Sequence, residues 1–199
     1  MKRHARKATA RQTPPFTAFV AYAGSSVSEY TVAQLRASGL VRQVYLLTPA
    51  SVRVPFKGSI PLRVKSPTAG STMRMIASKT TTPYALLVLH DVAIQFGQFA
   101  LERIASVAAQ TGAGLIYADC MEVKGPSPAP HPLIDYQEGS IRDDFDFGSV
   151  VALERTSLAR AAKEAAGYRH AGFYALRLAI ARKEGIFRIA EPLYTKTEP

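Results

Sequence analysis

His90 and Asp91 follow Pro83 to Leu89, Pro-Tyr-Ala-Leu-Leu-Val-Leu, the longest unbroken apolar run of the chain. An imidazole beside a carboxylate can hold a divalent cation, donate to a phosphate or move a proton; the structural alternative is a solvated polar strand end. A second group, Asp143, Asp144 and Asp146, lies in the densest acidic stretch, Asp135 to Ser149, next to Arg142 and Phe145. Carboxylates without a metal-fixing spacing suit general-base work on a hydroxyl, or else form an acidic turn paired to Arg142. Arg74 either reaches a phosphate or lies along a helix surface. His170, after Tyr168 and Arg169, either accepts a proton as a base or serves packing. Cys120, beside Asp119, reads as a small buried hydrophobe.

An apolar run without polar alternation is expected of a strand buried on both faces. Tyr84 to Leu89 is therefore read as a central strand of a mainly parallel sheet, with Pro83 first, where its missing N–H interrupts no ladder. In open α/β sheets ligands lie beyond the carboxyl ends of the strands, which puts His90 and Asp91 where a site is built. Upstream, Phe16 to Ala23 reads as the first strand. Ser26 and Glu29 have capping-box spacing at the entry of a helix that buries Val32, Ala33 and Leu35 and stops at Gly39. Val44 to Leu47 is the next strand, and the βαβ unit brings Ala21, Tyr22, Ala23 and Thr48 to the same edge as His90 and Asp91. These residues, with Arg74, are expected to bind a nucleotide. The turn Gly24-Ser25-Ser26-Val27 lacks the G-x-G-x-x-G fingerprint, which argues against a nicotinamide enzyme.

Further on, Ile60 to Val64 reads as an edge strand and Thr68 to Lys79 as a helix. Gln98 to Gln110 is a helix with Leu101, Ile104, Ala105 and Ala108 at helical spacing, ended by Gly112 and Gly114. Leu115 to Ala118 is a strand finishing in Asp119. Four prolines between Lys124 and Leu133 predict a surface loop able to close over a ligand. Val150 to Leu153, helices over Ser157 to Ala166 and Tyr174 to Lys183, and a short strand from Ile186 to Ala190 complete the pattern.

A chain of 199 residues with 47% apolar content supports one domain, taken as residues 16–199. Met1 to Pro15 carries Lys2, Arg3, Arg6, Lys7 and Arg11 without an acid or apolar stripe, and is expected to be a disordered basic tail. A single cysteine, no apolar leader and no run near the roughly 18 residues of a membrane span predict a cytoplasmic protein; the basic tail is read first as a solubilising leader, and otherwise as a weak anchor to nucleic acid or to the inner face of the membrane, to which the protein would then be peripheral. Charge is unevenly placed. Up to Thr80 there are 13 Lys and Arg against one acid, leaving 12 basic and 14 acidic residues of the 25 and 15 in the chain. An anionic partner near the N-terminal half is implied: a nucleotide diphosphate or an anionic membrane surface. The sequence has neither zinc-finger spacing nor the aromatic pattern of an RNA-recognition sheet, which argues against nucleic acid.

The order of elements and several local strings resemble the family 2 glycosyltransferases, inverting nucleotide-sugar enzymes of GT-A fold, from Thr17 to Thr197. Thr17 to Ala23 looks like their opening strand, and Ser71 to Ile76 like the helix that approaches the nucleotide. Tyr84 to Leu101 resembles their Asp-x-Asp strand with its following loop and Leu-Glu-Arg helix. Leu176-Arg177-Leu178 and Pro192-Leu193-Tyr194 are similar to the helix and strand after the catalytic segment. Ile134 to Ser149 resembles a stretch shared by a divergent subset of that family.

The resemblance implies a three-layer α/β/α GT-A domain that moves a sugar from a nucleotide-diphosphate sugar to a hydroxyl of a glycan or lipid-linked acceptor, as in polysaccharide biosynthesis. It also marks departures. Asp-x-Asp is replaced by His90-Asp91-Val92, so Mg2+ or Mn2+ at His90 and Asp91 is expected to be held less well than by two aspartates. The acidic pair that supplies the base aligns with His170 and Ala171, so the base is expected from His170 or from Asp143, Asp144 and Asp146, with Asp144 first. The alternative is a non-catalytic glycosyltransferase-like module that binds a nucleotide sugar, a glycan or a protein partner.

Overall fold

The computed structural model describes residues 13–54, 56–139 and 145–197. Phe16–Ala21 forms β1, every residue of it buried, and Val27–Ala37 forms α1. Val41–Thr48 is β2 and Ile60–Arg63 is β3. Gly70–Lys79 is α2, Tyr84–Val88 is β4 and Ala93–Phe96 is β5. Ala100–Thr111 is α3, Leu115–Val123 is β6 and Ala129–His131 is β7. Val151–Glu154 is β8, Arg155–Glu164 is α4, Gly172–Ala181 is α5 and Ile186–Thr197 is β9.

Among the described residues, nine strands make one sheet in the order β3-β2-β1-β4-β8-β6-β9-β5, with β7 added to β6. β3, β2, β1 and β4 pair in parallel, β8 runs antiparallel to both β4 and β6, and β9 returns parallel to β6. The sheet is thus mixed and mainly parallel, and β4 is central, its residues Ala85 to Val88 fully buried. Alternation along the strands divides the core. Phe16, Ala18, Val20, Leu86 and Val88 meet the apolar stripes of α1 and α3 on one face. Phe19, Leu47, Ala85 and Leu87 meet Met73 and Ile76 of α2, Leu158 of α4 and Leu176 of α5 on the other, which completes the three layers.

Four local expectations are corrected. Ser26 precedes α1 without a capping bond from its side chain, so the capping box with Glu29 does not form. The strand ending at Asp119 continues to Val123, because a ladder to β9 and the added strand β7 pair its second half. The proline-rich segment is not all loop: Ala129–His131 pairs with β6, where Pro130 is tolerated because β7 has no further neighbour among the described strands. The last strand runs to Thr197, and its register with β6 jumps after Ile189, around Pro192, which has no N–H for a ladder. β5 has no counterpart among the expected elements. Its outer edge is closed by α1 side chains: Thr31 Oγ1 accepts from Ile94 N at 2.8 Å, and Gln34 both donates to Ile94 O and accepts from Phe96 N.

Candidate functional site

Asp91 follows β4 and works on the loop after β1. One carboxylate oxygen accepts from Ala23 N at 2.9 Å and Ser25 N at 3.4 Å, and the other accepts from the Ser28 hydroxyl. From 63 to 68 residues away, Asp91 thus ties the loop before α1 to the Ser28 hydroxyl in the first turn of that helix and places a negative charge at the helix opening. Both oxygens are therefore engaged within the protein. Next to it His90 is exposed, and among the described residues no three His, Cys, Asp or Glu side chains gather as a metal-binding group. His90 and Asp91 together offer one imidazole and one carboxylate, and that carboxylate already serves the loop after β1.

The other expected nucleotide residues divide by depth. The side chains of Ala21, Tyr22 and Thr48 are buried, with Tyr22 edge-on to Phe56 at 5.0 Å, so these positions shape the strand ends rather than offer side chains to a ligand. Ala23 is exposed at the rim. Arg74 is exposed on α2 and does not line the cleft described below.

That cleft, of about 530 Å3, opens at the carboxyl edge of the sheet between the end of β4, the segment before β8 and helix α5; Leu89, His90, Asp146, Ser149, Phe173 and Arg177 are among its walls. A smaller cavity of about 230 Å3 shares His90, Asp146 and Ser149 and adds Cys120, His131 and Lys196. The structure thus brings His90 and Asp146 together. Asp146 Oδ1 accepts from Gly148 N at 2.7 Å, and its Oδ2 lies 3.1 Å from His131 Nε2. On the other side of that ring, His131 Nδ1 lies 3.5 Å from Glu122 Oε2. Glu122 is buried and bound by Lys124 Nζ at 2.8 Å and Lys196 Nζ at 2.7 Å, and these contacts hold its carboxyl down at about 2. Sequence reasoning misses His131; it lies in a proline-rich segment, and only the pairing of β7 with β6 carries it to Asp146.

Asp143 and Asp144 lie outside the described residues. His170 lies elsewhere, in a separate cavity of about 630 Å3 with Lys65, Ser66, Tyr168 and Arg169, and is not brought together with His90 or Asp146. Cys120 is buried as expected, and burial raises its thiol pKa. Asp119 is structural: it forms a two-pronged pair with Arg188, Nε to Oδ1 and Nη2 to Oδ2 both at 2.8 Å, and accepts from Leu133 N.

Arg177 is the second residue that sequence reasoning misses, since the chain marks it only as the middle of Leu-Arg-Leu. Only 7% exposed, it lies among the rings of Phe147, Phe173 and Tyr174, whose centroids are 4.8, 5.0 and 5.6 Å from its guanidinium carbon. Nη1 donates to Phe145 O at 3.2 Å, while Nε has no partner among the described residues. Burial lowers its pKa from the ordinary value, against the opposing pull of Tyr174 and Asp146.

No protein-family model and no curated protein matches the sequence. Solved structures do match. S. aureus TarS 1–349 in complex with UDP-GlcNAc superposes with a TM-score of 0.65 at 11% identity, over 92% of this chain and 58% of that one. Glucosyl-3-phosphoglycerate synthase from Mycobacterium tuberculosis, solved with Mn2+, UDP and phosphoglyceric acid, gives 0.59 at 9% identity, over 94% and 72%. The 2-C-methyl-D-erythritol 4-phosphate cytidylyltransferase of Thermus thermophilus gives 0.52 at 14%, over 88% of each chain. The chain spans roughly three fifths of TarS 1–349. Likeness at these identities establishes the architecture: the chain has the GT-A type fold of nucleotide-diphospho-sugar transferases, a mixed, mainly parallel sheet between helical layers.

Proposed function

We propose that the chain binds a nucleotide-diphosphate sugar at the carboxyl edge of its sheet and transfers the sugar, with inversion, to a hydroxyl of a glycan or lipid-linked acceptor. The observation that carries this reading is the convergence of His90 and Asp146 in one cleft of about 530 Å3, large enough for a sugar diphosphate and placed where this architecture builds ligand sites. The solved complex of TarS with UDP-GlcNAc makes a uridine diphosphate sugar the first donor to test.

In this mechanism Asp146, oriented by Gly148 N and His131, takes the proton of the acceptor hydroxyl as that oxygen attacks the anomeric carbon. The bond to the diphosphate breaks on the opposite face, which inverts the anomeric centre. Asp143 and Asp144, in the same acidic stretch, are the further candidates for the base. Because the oxygens of Asp91 are engaged by the loop after β1, donor binding is expected to depend little on divalent metal.

That engagement of Asp91 also favours the second reading, a non-catalytic module that binds a nucleotide sugar without turnover. Calorimetric titration with UDP-GlcNAc, UDP-glucose and other nucleotide sugars, in EDTA and in Mn2+, separates the two when paired with an assay for sugar-dependent nucleotide release. Saturable binding in EDTA together with release supports transfer. Binding without release on any acceptor supports the module, and no binding of any nucleotide sugar removes both.

A further inference from the structure

Arg177 is a charged side chain, 7% exposed, and among the described residues no carboxylate is bonded to it, although the charge of Asp146 acts on it. A guanidinium in a dry site is normally paired with a carboxylate, because its desolvation otherwise goes uncompensated. Among the described residues, its only hydrogen bond is to the carbonyl of Phe145, and it lies against three aromatic faces, which attract a cation far less than a bonded carboxylate does. Its Nε–H is buried and has no partner among the described residues. The same side chain forms part of the wall of the 530 Å3 cleft, which His90 also lines. The other described cation of this region, Lys196 in the adjoining cavity, is bound to Glu122 at 2.7 Å.

We propose that Arg177 is an oxyanion-binding residue of the cleft and that it takes the diphosphate of the donor. The proposal rests on the reading of the cleft as a nucleotide-sugar site and adds the charge that site otherwise lacks, since the oxygens of Asp91 hold the loop after β1 and leave no metal-binding set among the described residues. A guanidinium held in place by ring stacking before the ligand arrives needs little reorganisation to meet a phosphate oxygen, and a dry setting strengthens the contact. In transfer, the bond from the anomeric carbon to the phosphate oxygen breaks, the electron pair leaves with the diphosphate, and Arg177 offsets the negative charge that gathers there.

The test uses the full chain in EDTA, titrated with inorganic pyrophosphate, UDP and glucuronate while the 1H–15N resonances of arginine Nε–H groups are followed, with Arg177→Lys used for assignment. The Arg177 Nε–H signal is expected to move saturably with pyrophosphate and UDP and to stay fixed with glucuronate. Movement with glucuronate alone assigns the residue to an acidic sugar or acceptor and overturns the proposal, as does no movement with any of the three. Arg177→Met, which keeps the apolar stem, is expected to weaken pyrophosphate binding at least tenfold while its melting temperature holds or rises, as for a buried charge kept for a ligand. Unchanged affinity contradicts the proposal. A fall in melting temperature with the resonance of the native chain unmoved shows a structural arginine. The two layers fail separately: pyrophosphate bound at Arg177 without any nucleotide sugar sinks the donor reading alone, and a nucleotide sugar bound equally well by Arg177→Met sinks this inference alone.

Discussion

Asp91 is legible in the sequence as a polar residue at a strand end, but its use is not, because the groups it binds come from a loop more than 60 residues earlier in the chain. A partly buried carboxylate accepting from two backbone N–H groups and a hydroxyl is worth about 2 kcal/mol here. Asp91→Ala is therefore expected to lower the melting temperature by roughly 4–8 °C in a chain of this size, measured by calorimetry, while nucleotide affinity in EDTA and in Mn2+ stays equal within each variant. Equal stability would show that the loop is held by other contacts. Glu122 makes a separate, pH-dependent contribution. Hydrogen bonds from Lys124 and then Lys196 depress its carboxyl from 4.5 to about 2, so the stabilisation is complete above about 4.5 and is lost as the pH falls toward 2. Glu122→Gln is expected to flatten the acid limb of stability against pH in that window; an unchanged limb would place the titrating groups elsewhere. His131 shows the same limit of sequence reading as Asp91, since its partners Glu122 and Asp146 meet it only once β7 docks on β6.

At the scale of elements, the apolar runs mark β1, β2, β4 and β8 to within a few residues, because burial on both faces removes the ambiguity of alternation. Ends are harder, since they depend on partners. Glu154 caps α4 with its own carboxylate, which accepts from Thr156 N at 2.8 Å and Ser157 N at 2.7 Å, although glutamate is not among the preferred capping types. Glu154→Ala is expected to cost about 1 kcal/mol by chemical denaturation, and no loss would mean that water replaces the cap. The entries of α2 and α5 meet through two glycines: a Cβ on Gly172 would overlap the backbone of Gly70, and one on Gly70 would overlap Ala165 O. Nothing in the local sequence marks Gly70 and Gly172 as neighbours; only the close crossing of two helix starts does. Gly172→Ala is expected to destabilise by about 3 kcal/mol through forced separation of α2 and α5, with Phe173 and Arg177 displaced from the cleft. A substitution within about 0.5 kcal/mol of the native chain, the range of an ordinary surface change, would show that the helices can part freely.

The whole molecule repeats the division seen in its charge. The part up to Thr80, with 13 basic residues and one acid, supplies the strands and loop that carry Ala23 and Thr48, while the cleft's carboxylate and buried arginine come from the later, weakly acidic part. Residues 1–12 lie outside the described residues, while Pro15, expected as the end of the disordered tail, instead accepts from Tyr84 N at 3.0 Å. Removing residues 1–12 is expected to leave the melting temperature unchanged, whereas removal through Pro15 should lower it. No helix among the described residues is long and apolar enough to cross a membrane. The overall architecture can be read from the order of strands and helices, whereas the cleft cannot, because it is assembled from the end of β4, the segment before β8 and α5.

The most direct test of the cleft as the nucleotide site is hydrogen–deuterium exchange of the full chain with and without saturating UDP-GlcNAc in EDTA. Protection is expected at residues 22–25, 88–92, 145–151 and 173–177, with Asp146→Asn retaining the pattern and losing transfer. Protection confined to the cavity around Lys65, Arg169 and His170, with residues 88–92 and 145–151 unaffected, would contradict it.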